Sequence, residues 1–198
     1  CLVAIVASNS ISTLLNYLAA LQLRHAIIFI TETDIHNELA SDEDTSSVVQ
    51  AFQPDLVLVN DEISIRKLAG KNNSSEVKGV EIHQEVALLL STSGSTGESK
   101  QVVLSYENLV SNCDSICAYL PILATDVTIT TLPFQYSYGL SIINTHLATG
   151  AAIIFTQLSF MQREFWDYFQ DYKVSSFGGV PHSYDMLLRL KFTQKDLP

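Results

Sequence analysis

Residues 86–105 read Val86-Ala87-Leu88-Leu89-Leu90-Ser91-Thr92-Ser93-Gly94-Ser95-Thr96-Gly97-Glu98-Ser99-Lys100-Gln101-Val102-Val103-Leu104-Ser105. The apolar run 86–91 has the length of a buried strand, residues 92–100 form a loop, and 102–104 return to strand. Seven of the nine loop residues are Gly, Ser or Thr. Glycines let successive backbone N–H groups turn toward one point and cradle an anion. Hydroxyls add neutral donors, and a lysine supplies the point charge a phosphate needs. Lys100 is the only Lys or Arg between Lys78 and Arg163, so phosphate binding outweighs a plain solvated turn. A Walker loop is excluded, because Gly94, Gly97 and Lys100 have the wrong spacing and a strand, not a helix, follows. No Gly-x-Gly-x-x-Gly stands at a strand–helix turn either.

On both sides of this loop, apolar runs alternate with helical patterns. Residues 2–7 and 26–30 read as strands around a helix capped by Asn9 or Ser10, with Ile11, Leu14, Leu15, Leu18 and Leu21 on one face. A helix ending near residue 53 is stopped by Pro54, and 55–59 is another buried strand. The polar stretch 60–85 reads as a variable loop with room for one short strand. Ser105 caps a helix carrying Glu107 in its first turn. Further strands are expected at 127–132, 151–155 and 174–177, and helices at 140–149, 161–172 and 182–191, the last begun by Pro181. The class is α/β, with mostly parallel sheets, helices on both faces and layered αβα subdomains.

The chain has 198 residues, 47% hydrophobic and 16% charged, which excludes an intrinsically disordered tail. Its formal charge of −10 argues against a nucleic-acid partner bound through a basic face. Nine acids and no Lys or Arg in residues 31–65 read as a solvated face. No apolar run is long enough to span a bilayer, and the start carries no basic n-region, so no membrane association is expected. Cys1, Cys113 and Cys117 form no even disulfide framework; the last two read as small helix residues, and a reducing cytoplasmic setting is expected. No metal-ligand spacing is found. Without an initiator Met, Cys1 is expected to be the edge of an excised fragment.

The loop resembles the phosphate-binding signature of adenylate-forming enzymes, the superfamily of acyl-CoA synthetases, firefly luciferase and peptide-synthetase adenylation domains. That signature reads Thr-Ser-Gly-Ser/Thr-Thr-Gly-x-Pro-Lys-Gly. Thr92, Ser93, Gly94, Ser95, Thr96, Gly97 and Lys100 match it position for position, while Ser99 replaces the proline and Gln101 the last glycine. Leu132-Pro133-Phe134-Gln135-Tyr136-Ser137-Tyr138-Gly139 resembles a second family motif, Leu-Pro-x-x-His-x-x-Gly, with Tyr136 in the His position. Phe177-Gly178-Gly179-Val180-Pro181 resembles the strand-end turn of the family's acid pocket.

The resemblance implies that ATP and a small carboxylic acid give an acyl-adenylate and pyrophosphate, and that the acyl group then passes to CoA or a phosphopantetheine on an acyl carrier protein. It assigns catalytic roles to Lys100 and Tyr136. Polyphosphate binding falls to Thr92, Ser93, Gly94, Ser95, Thr96, Gly97 and Lys100, and acid binding to Tyr136, Tyr138, Gly139, Gly179, Val180 and Pro181. Mg2+ is implied with ligands mostly outside this chain. The resemblance further implies a large N-terminal domain in part: a first α/β subdomain over 1–118, and the front of a second over 119–198. A fragment of that kind is expected to be inactive alone and prone to self-association through uncovered apolar faces. The alternative reading is a degenerate, non-catalytic nucleotide-binding module. Without the resemblance, Tyr136 and Tyr138 read as loop aromatics packing on a core, and Gly178-Gly179 as a plain turn.

Overall fold

The computed structural model describes residues 1–34, 48–59, 82–92 and 100–192. The chain divides into two compact units, residues 1–7 with 11–109, and residues 8–10 with 110–198.

In the first unit β1 (Leu2–Val6) lies between β2 (Ala26–Ile30) and β3 (Leu56–Leu58), parallel to both. Every residue of β1 and β2 is buried, as unbroken Val/Ile/Leu runs require when both faces of a parallel sheet are covered. Leu2, Ala4, Val6, Ile28 and Val57 share one cluster. The β3 edge is pinned by Asp55, whose Oδ2 accepts the Leu2 N–H at 2.7 Å. β4 (Val86–Thr92) pairs parallel with β2, and β5 (Lys100–Ser105) pairs antiparallel with β4, giving the order β3-β1-β2-β4-β5.

Helix α1 (Ile11–Gln22) turns a different face inward from the one its leucine stripe suggests. Thr13, Tyr17 and Ala20 are buried, whereas Ile11, Leu15 and Leu18 are exposed. The buried set also follows helical spacing. Small Thr13 and Ala20 let the helix lie close to the sheet while Tyr17 covers Phe29, their ring centroids 5.9 Å apart. Helix α2 (Val48–Phe52) ends before Pro54, with Gln53 in a left-handed conformation. The expected loop at 60–85 lies outside the described residues up to 81.

Ser105 begins α3 (Tyr106–Tyr119) as expected. Its Oγ accepts the Asn108 N–H at 3.1 Å, and Asn108 Oδ1 accepts the Ser105 N–H at 3.0 Å. Two of the four unpaired donors of a helix start are thus satisfied reciprocally.

In the second unit β6 (Val127–Ile129) lies between β7 (Ala152–Ile154) and β8 (Ser176–Phe177), all parallel. Helices α4 (Ser137–Thr149), α5 (Arg163–Asp171) and α6 (Pro181–Arg189) alternate with these strands. Phe160, Phe165, Trp166, Phe169 and Phe177 fill the core on the α5 side. The architecture is α/β with mostly parallel sheets. Among the described residues no helix is long and apolar enough to cross a membrane.

Candidate functional site

The β4–β5 hairpin fixes both ends of the hydroxyl-rich loop. Thr92 stands opposite Lys100 in the ladder, and Ser91 opposite Gln101. β4 is anchored by Ala87 and Leu88, both wholly buried, while Lys100 is exposed at the start of β5. Ser93, Gly94, Ser95, Thr96 and Gly97 lie outside the described residues, so the structure places only Thr92 and Lys100 of the expected phosphate-binding set. It adds a clamp that sequence reading missed: Gln101 Nε2 donates to Ser91 Oγ at 2.6 Å across the base of the loop. The other amide atom, Gln101 Oε1, is buried and finds no hydrogen-bond partner among the described residues. Only strand register reveals this pair, because the two residues are ten positions apart.

In the second unit the start of α4 is held close to the chain before it. Pro133 O accepts the Tyr136 N–H at 3.0 Å, and Tyr136 takes the N-cap position with extended backbone. Phe134 is fully buried and stacks with Phe155 at 6.4 Å. Asn9 Nδ2 donates to Leu132 O at 3.1 Å. Tyr136 and Tyr138 are 46% and 41% exposed, so neither is a core aromatic. Gly139 is required by close approach: a β-carbon there would fall on the Pro133 carbonyl oxygen and lie 3.3 Å from Leu132 Cβ. Alanine generally favours a helix over glycine by up to ~1 kcal/mol, and overpacking costs about 1–3 kcal/mol. Gly139→Ala is therefore expected to lower stability by about 1–2 kcal/mol in urea unfolding, despite its better helix propensity. A stabilised variant would contradict this packing.

The β8–α6 turn supplies the other expected residues. At Gly178 a β-carbon would meet only the terminal methyl of Ile142, the end of a side chain that can turn aside, so the fit there is looser than at Gly139. The Gly178 carbonyl accepts the Thr131 hydroxyl. Val180 is the N-cap of α6, Pro181 its first residue, and Ser183 Oγ accepts the Val180 N–H at 3.2 Å. Behind Tyr138 and Gly178 opens a cavity of about 390 Å³, between α4, β8 and the end of α3. It also reaches His146 and Ser176, which sequence reading left out. His146 is buried, its Nδ1 2.8 Å from Ile142 O and its Nε2 3.4 Å from Ser176 Oγ. His146 lies eight residues beyond Tyr138, about 80° further round the helix, at the edge of the stripe with Ser141, Ile142 and Thr145 that lines the cavity; that spacing is the signal in the sequence that could have found it.

Two other groups are chemically quiet. Burial first, and then the neighbouring Cys117 and Asp114, push the Cys113 thiol up to about 11, so it stays protonated at neutral pH. Burial also raises the Tyr106 phenol, opposed by the Arg24 guanidinium 4.3 Å above its ring and helped by Glu85. Among the described residues no three His, Cys, Asp or Glu side chains gather as metal ligands.

The scaffold is a mostly parallel α/β fold in which β4 and β5 pair on either side of a connection rich in Gly, Ser and Thr. The model of the AMP-binding enzyme family matches residues 2–198, and the chain belongs to that family. It is 32% identical over 117 residues to the acyl-CoA synthetase ALT10 of Alternaria alternata, a match covering 58% of this chain and 20% of that one. It is also 32% identical over 100 residues to luciferin 4-monooxygenase of Photuris pensylvanica, covering 49% and 18%. ATP-bound MatB from Rhodopseudomonas palustris has a similar fold, with a TM-score of 0.66 at 25% identity over 95% of this chain and 41% of that one. The matched stretch thus spans about a fifth of each of these curated relatives.

Proposed function

We propose that the whole protein activates a carboxylic acid with ATP and passes the acyl group to a thiol, CoA or a carrier-bound phosphopantetheine. The observation that carries this reading is the hairpin: Thr92 faces Lys100, so the connection rich in Gly, Ser and Thr is anchored at both ends with a lysine at its exit. In the first step a carboxylate oxygen attacks the α-phosphorus of ATP, and the bond from that phosphorus to the pyrophosphate oxygen breaks. Negative charge grows on the departing pyrophosphate, and donors fixed around it lower the barrier. Lys100 contributes the unit charge. Thr92, Ser93, Ser95 and Thr96 contribute hydroxyls, while Gly94 and Gly97 give the backbone freedom to aim amides at the β- and γ-phosphates.

On the acid side, Tyr136, Tyr138 and Gly139 at the start of α4, with Gly179, Val180 and Pro181 at the β8–α6 turn, receive the acyl group. Tyr136 would stand beside the mixed anhydride, its phenol available to hydrogen-bond the acyl or phosphate oxygens. Among the described residues no three His, Cys, Asp or Glu side chains gather to hold Mg2+.

The test is exchange of labelled pyrophosphate into ATP by the whole protein. Exchange that appears only on adding an acid supports the reading. Nucleotide binding without exchange, across short, aromatic and long-chain acids, would replace it with a non-catalytic nucleotide-binding module.

A further inference from the structure

The cavity behind Tyr138 and Gly178 has carbon-rich walls, with Ile116, Leu120 and Ile122 among its lining. Most of its polar groups are committed. Ser141 Oγ donates to Tyr138 O at 2.8 Å, Thr145 Oγ1 to Ser141 O at 2.9 Å and Thr128 Oγ1 to Ser176 O at 3.2 Å. Asp126 accepts from the Leu123 N–H at 2.8 Å and the Ser175 hydroxyl at 3.1 Å. His146 differs. The Ile142 carbonyl can only accept, so Nδ1 carries a proton, and in the tautomer this contact selects Nε2 is the acceptor. Across from Nε2 stands the Ser176 hydroxyl, joined to it by a long hydrogen bond of 3.4 Å, weaker than those its neighbours make and open to replacement by a better-placed partner. An acceptor and a hydroxyl so placed suit a group that donates to one and accepts from the other. An alcohol or phenol does both. Among the described residues no lysine or arginine lines the cavity and Asp126 does, which sets it against a second carboxylate. His146 lies eight residues beyond Tyr138, about 12 Å along the helix.

We propose that the cavity holds the body of the acid and that His146 and Ser176 read a hydroxyl at its far end. The substrate class is then a hydroxy-carboxylic acid with an apolar body, preferred over its methyl or carboxylate counterpart. The inference rests on the acid-activating reading above, and its test separates the two. Three acids sharing one apolar body, ending in hydroxyl, methyl or carboxylate, are compared in pyrophosphate exchange and, without ATP, in calorimetric binding. The hydroxyl acid is expected to lead the methyl acid by about tenfold, the range of one or two buried neutral hydrogen bonds, and the carboxylate by more. Ser176→Ala and His146→Leu should each bring the hydroxyl-to-methyl ratio close to one, while Ser176→Thr, which keeps the hydroxyl, retains the preference. Preferential, Ser176-dependent binding without exchange would uphold the cavity assignment and remove the ligase reading. Equal binding of hydroxyl and methyl acids, no binding of any of the three, or a ratio that Ser176→Ala leaves unmoved would overturn the proposal.

Discussion

Replacing Lys100 by alanine is expected to lower acid-dependent pyrophosphate exchange by about 10²–10³-fold, the usual cost of removing one fixed donor from a developing anion. The lysine sits where β5 begins, opposite Thr92, so its position comes from strand pairing and survives truncation of the side chain. It is exposed, and stability should change by no more than about 0.5 kcal/mol. Because charge grows on pyrophosphate as the bond to the α-phosphorus breaks, the loss should fall mainly on kcat, with a smaller rise in KM for ATP. Lys100→Arg keeps the charge but not the compact ammonium, and should recover part of the rate. A fall of less than about threefold in Lys100→Ala would remove the lysine from the reaction and, with it, the strongest chemical argument for the loop.

The central strands were legible because they are buried on both faces: Leu2–Val6, Ala26–Ile30 and the Ala87–Leu90 stretch of β4 are unbroken apolar runs. Helix starts were legible where a side chain closes them, as Ser105 and Asn108 do for α3. The buried face of α1 was not. Ile11, Leu15 and Leu18 make the more hydrophobic stripe, yet close approach to a sheet rewards small residues beside one large ring, and Thr13, Tyr17 and Ala20 supply that. The site divides in the same way. Motifs carried by consecutive residues, such as the loop ending at Lys100 and the turn at Gly178, could be read along the chain. Pairs made by register or by two elements could not: Ser91 with Gln101 are ten residues apart and His146 with Ser176 thirty. The glycines show both sides of this. Gly139 could be picked out by its place in a motif, but the reason it must be glycine, the Pro133 carbonyl oxygen standing where a β-carbon would go, exists only in the folded chain.

The second large effect is on stability. Phe165 is completely buried and meets Phe160 edge-on at 5.1 Å and Trp166 at 5.2 Å. Phe165→Ala removes a whole ring from a packed aromatic cluster, and about 3–5 kcal/mol should be lost. Trp166 is the chain's single tryptophan and its Nε1–H donates to Phe160 O at 2.7 Å, so its fluorescence follows unfolding of the second unit directly. The midpoint in urea read this way should fall sharply. Ile11→Ala in the first unit should lower stability by no more than about 0.5 kcal/mol, read by circular dichroism of the whole chain, since Ile11 is 64% exposed. The same two substitutions judged from hydrophobicity alone would be ranked far closer together. Phe160 also touches Phe177 at 5.7 Å, and Phe177 both lines the cavity and precedes Gly178. Loss of the Phe165 ring should therefore loosen the end of β8 as well as the core, weakening acid binding at urea concentrations where the unit is still folded. A variant that loses the stability but binds acid as before would show that β8 is held by its ladder with β6 rather than by the aromatic cluster behind it.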